Sequence, residues 1–97
     1  MISVIKIVGD SMSPTLAHGD YILIKKPHSF RVGFIYVMKH PRLGRIVKRL
    51  EKIEDRQLWF YGDNPESTDT EKIGAILPSD IIGRAFLTIS PKGLKRL

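Results

Sequence analysis

The amino-acid sequence predicts one mainly β domain, and three observations carry that expectation. Apolar residues come in short runs rich in Ile, Val, Tyr and Phe, side chains that favour a pleated, half-buried surface. Gly, Pro and Asp punctuate those runs. No helical period is sustained over about ten residues. With 97 residues the chain has room for a single domain, 1–97, and one core is expected to hold it together.

The elements follow in order. Ser3–Val8 reads as the first strand and runs into a sharp corner at Gly9-Asp10-Ser11. One short helical turn is expected over Ser13–Gly19. Ser13 can cap the free amides, Pro14 suits the first helical position and Gly19 suits the exit. Tyr21–Lys25, Phe34–Lys39, Arg45–Leu50, Gln57–Tyr61, Ile73–Leu77 and Ile82–Ile89 complete the candidate strands. Repeats and low-complexity tracts are absent.

Composition excludes several classes. No cysteine is present, so there is no disulfide framework and no thiolate metal site, which fits a reducing compartment. His18, His28 and His40 lack zinc-ligand spacing, and neither metal nor other cofactor is expected. The longest uninterrupted apolar run is Phe34 to Met38, far below the roughly 20 residues of a membrane span. The N-terminus lacks the basic start and long apolar centre of a signal peptide. A soluble, cytoplasmic protein is expected, with peripheral recruitment to a membrane left open. The net charge of +6 invites a nucleic-acid reading, and Lys39, Arg42, Arg45, Lys48, Arg49 and Lys52 do cluster. Glu51, Glu54 and Asp55 lie among and just after them, and no recognition helix or aromatic-basic motif accompanies them. The cluster reads as a solvated basic surface, and no nucleic-acid partner is expected.

Within Arg45–Leu50 one residue is out of place. Side chains alternate along a strand, so Ile46, Lys48 and Leu50 share a face and Lys48 occupies an apolar phase. Two readings are open. The stem can pack beside Ile46 and Leu50 while the amine reaches water. Alternatively the amine sits in a dry cleft, where burial lowers its pKa and makes it a base near neutral pH. A base of that kind can activate a serine hydroxyl, as serine-lysine pairs do.

The surrounding motifs carry a resemblance. Val8-Gly9-Asp10-Ser11-Met12-Ser13-Pro14-Thr15-Leu16 with Gly19-Asp20-Tyr21, then Ile46-Val47-Lys48-Arg49, then Gly62-Asp63-Asn64-Pro65-Glu66-Ser67-Thr68-Asp69-Thr70 with Gly74, resemble in order the boxes of signal peptidase I and LexA-type peptidases. The resemblance implies the partly open, antiparallel, barrel-like sheets of that catalytic core. It implies Ser11 as nucleophile, Lys48 as base and Ser67 as the hydroxyl that orients the lysine. The oxyanion would be held by the backbone amide of Ser11 and a neighbouring main-chain donor at Gly9, where some signal peptidases supply a serine hydroxyl. A protein or peptide substrate would bind as an extended strand. The family aspartate matched by Asp69 pairs with an arginine two residues on, but Glu71 stands there, so Asp69 reads as a loop-ordering residue. The loop from Asn64 to Ser67 is one residue shorter than in signal peptidases, and the membrane anchor and inserted cap are missing. The pattern is most similar to the nickel-type superoxide dismutase maturation proteases.

Other roles have simpler readings. Met12 is expected to pack beneath the corner, and Asp10, Asp20 and Asp63 to accept backbone amides in turns. Ser3-Val4-Ile5-Lys6 spells the Ser-x-x-Lys of β-lactamases, but that motif works on a helix and these residues lie on a strand. Two alternatives to a peptidase that processes another protein remain. One is a self-cleaving regulator of the LexA/UmuD type; no Ala-Gly pair stands among the ten residues before Ser11. The other is a non-catalytic basic β-barrel that binds peptide or nucleic acid.

Overall fold

The computed structural model describes residues 1–68 and 70–97. It is mainly β, as expected: seven strands pair antiparallel throughout. They are β1 (Ile2–Lys6), β2 (Tyr21–Lys25), β3 (Ile35–His40), β4 (Gly44–Glu54), β5 (Gln57–Tyr61), β6 (Ile81–Ser90) and β7 (Gly93–Arg96). The sheet order is β1-β2-β6-β3-β4-β5, with β7 added to β6. Long β6 makes the sheet curl. Its first part pairs with β3, its middle with β2, and its end with both β2 and β7. Bulges on the β2–β6, β3–β6 and β4–β5 ladders add to the bend.

Strand β3 explains why one core becomes two. Ile35 and Val37 point to one face, Tyr36 and Met38 to the other, and all four are buried. Around the first pair gather Ile5, Ile7, Met12, Leu16, Ile22, Ile24 and Ala85. Around the second gather Leu50, Leu58, Phe60, Ile73, Ile76 and Ile81. A strand covered on both faces needs a continuous apolar run, and Phe34 to Met38 is that run.

Tyr21–Lys25 and Gln57–Tyr61 have the bounds read from the sequence, and the other matching strands differ mostly at their ends. Two differences go deeper. Ile73–Leu77 is not a strand: Thr70–Ile73 is a four-residue helix, α1, ended by Gly74 at φ +75°. Only Ile76 pairs, as an isolated bridge to Leu58. Ile73 and Ile76 are both buried, so the segment's apolar character was legible while its period was not. The second difference is β7, whose residues are all exposed and carry no apolar alternation to announce it.

Candidate active site

The corner that carries Ser11 is tied at its base and across its middle. Ile7 N–H donates to the Asp20 carbonyl at 2.7 Å and Gly19 N–H donates back to the Ile7 carbonyl at 2.8 Å, closing the loop where it leaves β1. Gly9, at φ +88°, takes the left-handed turn that a side chain would resist. A single helical-type turn follows Ser11, closed by Leu16 N–H to the Met12 carbonyl at 2.9 Å. It starts earlier than the sequence indicated, and Ser13 donates its amide to the Asp10 carbonyl. Gly19 makes the exit at φ +92°. Met12 and Leu16 are buried beneath the corner, the place expected for Met12.

Asn64 holds the corner from the facing loop. Its amide N–H donates to the Ser11 carbonyl at 3.0 Å, and its side-chain Nδ2 donates to the Asp10 carbonyl at 2.9 Å. The carbonyls of Asp10 and Ser11 are thereby fixed. Gly62 lets the two loops approach. A Cβ there would collide with Ser67 Oγ and would lie 2.6 Å from the Ser11 carbonyl oxygen.

Lys48 lies on β4 opposite Tyr36, on the face shared with Ile46 and Leu50. Only 3% of its surface is exposed. Among the described residues no hydrogen bond or ion pair holds its amine, and burial pushes its pKa below the ordinary lysine value. The stem packs on the face of Ile46 and Leu50, and the amine keeps a small contact with the cleft, so both readings hold in part. Lys48 and Ser11 line one cleft of about 310 Å³, with Ile5, Ile7, Met12 and Val47 among its apolar walls and Thr68 at its rim. The cleft adjoins a more open depression bordered by Arg42, Glu71 and Lys72, which shares Leu43 and Thr68 with it. Asp69 lies outside the described residues.

Three sequence expectations need adjustment. Gly9 is not a free oxyanion donor, because its N–H donates to His18 Nδ1 at 2.9 Å. The Ser11 amide, by contrast, has no acceptor among the described residues. Ser67 sits behind the corner against Gly62, donating its amide to the Asn64 carbonyl. Its hydroxyl is not hydrogen-bonded to Lys48 among the described residues, and Thr68 is the residue of that pair that lines the cleft. Of the three aspartates, Asp20 alone accepts a backbone amide from a described residue with its side chain, from Ala17 at 2.9 Å.

Asp63 does something larger. Its carboxylate takes Arg49 in a two-pronged ion pair, Nε at 2.8 Å and Nη2 at 2.7 Å, and also accepts the Thr15 hydroxyl at 2.5 Å. Arg49 reaches the Gly33 carbonyl as well. The hydrogen bond from Arg49, aided by Thr15, holds the Asp63 carboxyl below its ordinary range, and Asp63 holds the Arg49 guanidinium above its own. The Ser11 turn, the β5–α1 loop and the strand of Lys48 are thus strapped together. Thr15, Arg49, Asn64 and His18 are the positioning residues that reading the sequence did not single out. An arginine beside the misplaced lysine and the Gly-Asp-Asn turn were the available signals.

Among the described residues no three His, Asp or Glu side chains gather as metal ligands, and no helix is long and apolar enough to cross a membrane. Residues 2–86 match the family model described as Peptidase S24-like. No curated protein matches the chain.

Proposed function

Since this chain belongs to the Peptidase S24-like family, a group of peptidases and LexA-like self-cleaving domains, we propose that it is a serine endopeptidase working through Ser11 and Lys48. One observation carries the reading: a lysine that is buried, without a partner among the described residues and depressed in pKa lines the same cleft as the corner serine. A fold that bears the cost of desolvating an amine without a counter-charge has a use for that amine neutral.

Neutral Lys48 Nζ takes the proton of Ser11 Oγ as the oxygen attacks the scissile carbonyl. The tetrahedral oxyanion forms against the unengaged Ser11 amide, in a corner that Asn64 holds rigid before substrate arrives. Protonated Lys48 then gives its proton to the departing amine, leaving an acyl-Ser11 ester. Water, deprotonated by Lys48, attacks that ester; the serine regains its proton and the acid product leaves. Ser67 is the hydroxyl we assign to orienting Lys48, with Thr68 as the competing donor from the cleft rim. The substrate is a protein segment lying extended along the cleft. Its finer identity, cleavage of an N-terminal extension as in nickel-type superoxide dismutase maturation proteases, is supported by the Gly62-Asp63-Asn64-Pro65 turn with Ser67-Thr68 close behind.

The test is cleavage by Ser11→Ala and Lys48→Ala, each checked for folding by circular dichroism. Both are expected to be inactive, and wild-type Ser11 alone is expected to be labelled by an acylating probe. Cleavage retained by either purified variant would discard the dyad. Incubation of the wild type at alkaline pH distinguishes cleavage of a partner from self-cleavage: an unchanged mass supports the former, a shortened chain the latter.

A further inference from the structure

The loop joining β2 to β3, with the adjoining stretch of β6, walls a cavity of about 200 Å³ that shares no residue with the Ser11–Lys48 cleft. Lys25, Lys26, Arg31 and Arg84 line it, with His28 and Ser29, and no carboxylate does. Four residues that carry a formal positive charge therefore line one small space. None of them has an ion-pair partner among the described residues.

Their placement is not that of scattered surface charge. Lys25 and Arg84 stand directly opposite each other across β2 and β6, an arrangement that repels. Each is nevertheless held, the Lys25 amine 5.2 Å from the Phe86 ring centroid and the Arg84 guanidinium 4.8 Å from that of Phe34. Contact with an aromatic face fixes a cation's position without cancelling its charge. Arg31 is anchored through its backbone, whose N–H donates to the hydroxyl of fully buried Tyr36 at 2.9 Å. Arg49 shows the alternative this fold uses where a charge is purely structural, an ion pair with a carboxylate.

We propose that this cavity binds a small phosphate-bearing anion. The two guanidinium groups present planar forks suited to phosphate oxygens, the two lysines add point charge, and the Ser29 hydroxyl can donate a further hydrogen bond. Binding would relieve the repulsion between Lys25 and Arg84, so occupancy stabilises the fold. The site does not depend on the chemistry at Ser11.

The experiment titrates the full chain with inorganic phosphate and with pyrophosphate at constant ionic strength, following amide chemical shifts and Tm. In parallel, phosphatidylglycerol and phosphatidylcholine vesicles are tested for co-sedimentation. Lys26→Gln/Arg31→Gln removes two cations from an exposed loop, and Lys92→Gln/Lys95→Gln removes the same charge elsewhere. Saturable binding with a rise in Tm is expected, weakened about ten-fold or more in the first variant and unchanged in the second. Binding to phosphatidylglycerol alone, lost in the first variant and competed by phosphate, identifies the source as a lipid headgroup. Phosphate binding without vesicle binding identifies a free anion. Absence of saturable binding to every probe, or equal weakening in both variants, overturns the proposal.

Discussion

Lys48 and Arg49 are neighbours on β4, and the two faces of that strand treat a positive charge in opposite ways. On one face Lys48 is buried against the second core with no counter-charge among the described residues, and burial lowers its pKa. On the other, Arg49 is gripped by Asp63, and its pKa rises. The difference separates a charge the fold uses for structure from one that, on the proposed function, serves chemistry. A fork locked to a carboxylate can only position, whereas an amine that sheds its proton easily can accept one.

The largest effect expected from breaking the contrast is at Lys48. Lys48→Met keeps the length and removes the base, and turnover of a cleavable peptide is expected to fall by about 10⁴-fold or more. Stability should move the other way. A lysine whose folded pKa lies below its ordinary 10.5 destabilises the charged native state. That penalty is full below the folded pKa and fades as pH rises toward 10.5, because the folded state sheds its proton first. Urea unfolding should find Lys48→Met more stable than wild type at neutral pH, with the gap closing as pH rises. A constant gap would mean the amine does not titrate early. Wild-type turnover should rise over the same alkaline direction.

Next in size is the strap. Asp63→Ala leaves the Arg49 guanidinium, 23% exposed, without its carboxylate and frees Thr15. Loss of a mostly buried partner is expected to cost about 2 to 3 kcal/mol in chemical denaturation. Asp63 has its own pH signature, with the sign opposite to that of Lys48. Its folded pKa is depressed, so its contribution is present above about 3.8 and is lost as pH falls through the folded value. Acid unfolding of Asp63→Asn should lack that loss.

These two residues also mark where the sequence could and could not be read. The burial of Lys48 was legible because strand alternation is a strict period of two, and a lysine in an apolar phase breaks it. The corner at Ser11 was legible from the motif around it, and the strands β2 and β5 from their own composition. Asp63 looked like an ordinary turn residue because its partners, Thr15 and Arg49, lie 48 and 14 positions away. Pairings of that kind exist only after folding. The same holds for Asn64 against Asp10 and Ser11, and for His18, whose ring takes the Gly9 amide that sequence reasoning had given to the oxyanion. Helix α1 escaped notice for a different reason: four residues are too few for a period to declare itself.

Gly62→Ala tests the packing between the strap and the Ser11 corner. The added methyl meets Ser67 Oγ and Cβ on one side and the Ser11 carbonyl oxygen on the other, all inside contact distance, and overpacking of this kind is expected to cost about 1 to 3 kcal/mol. If the carbonyl yields, the corner moves and kcat falls while KM changes little. If Ser67 yields, stability drops and activity falls only as far as Ser67 contributes. Ser67→Gly combined with Gly62→Ala separates these: it removes both Ser67 atoms from the methyl's path and leaves the Ser11 carbonyl oxygen at 2.6 Å, so stability should recover only in part while any effect of the displaced corner persists.

The smallest effect sharpens the comparison most. Lys52 and Glu54 form the other ion pair among the described residues, at 3.0 Å, and at 48% and 60% exposure they sit in solvent. Distance alone would rank this pair close to Arg49–Asp63; burial predicts otherwise. Exposed pairs are screened and must order two long side chains, so Glu54→Gln is expected to change unfolding free energy by less than about 0.5 kcal/mol. Lys52→Ala should cost more than Glu54→Gln, because the amine also lies 5.3 Å from the Trp59 ring centroid, a contact that survives loss of the carboxylate. A double-mutant cycle on Lys52 and Glu54 should therefore give a coupling near zero while the Arg49–Asp63 cycle does not. Equal couplings would show that proximity, and not removal from water, sets the worth of a charge pair on this strand. Burial would then lose its force as the reason Lys48 and Arg49 differ.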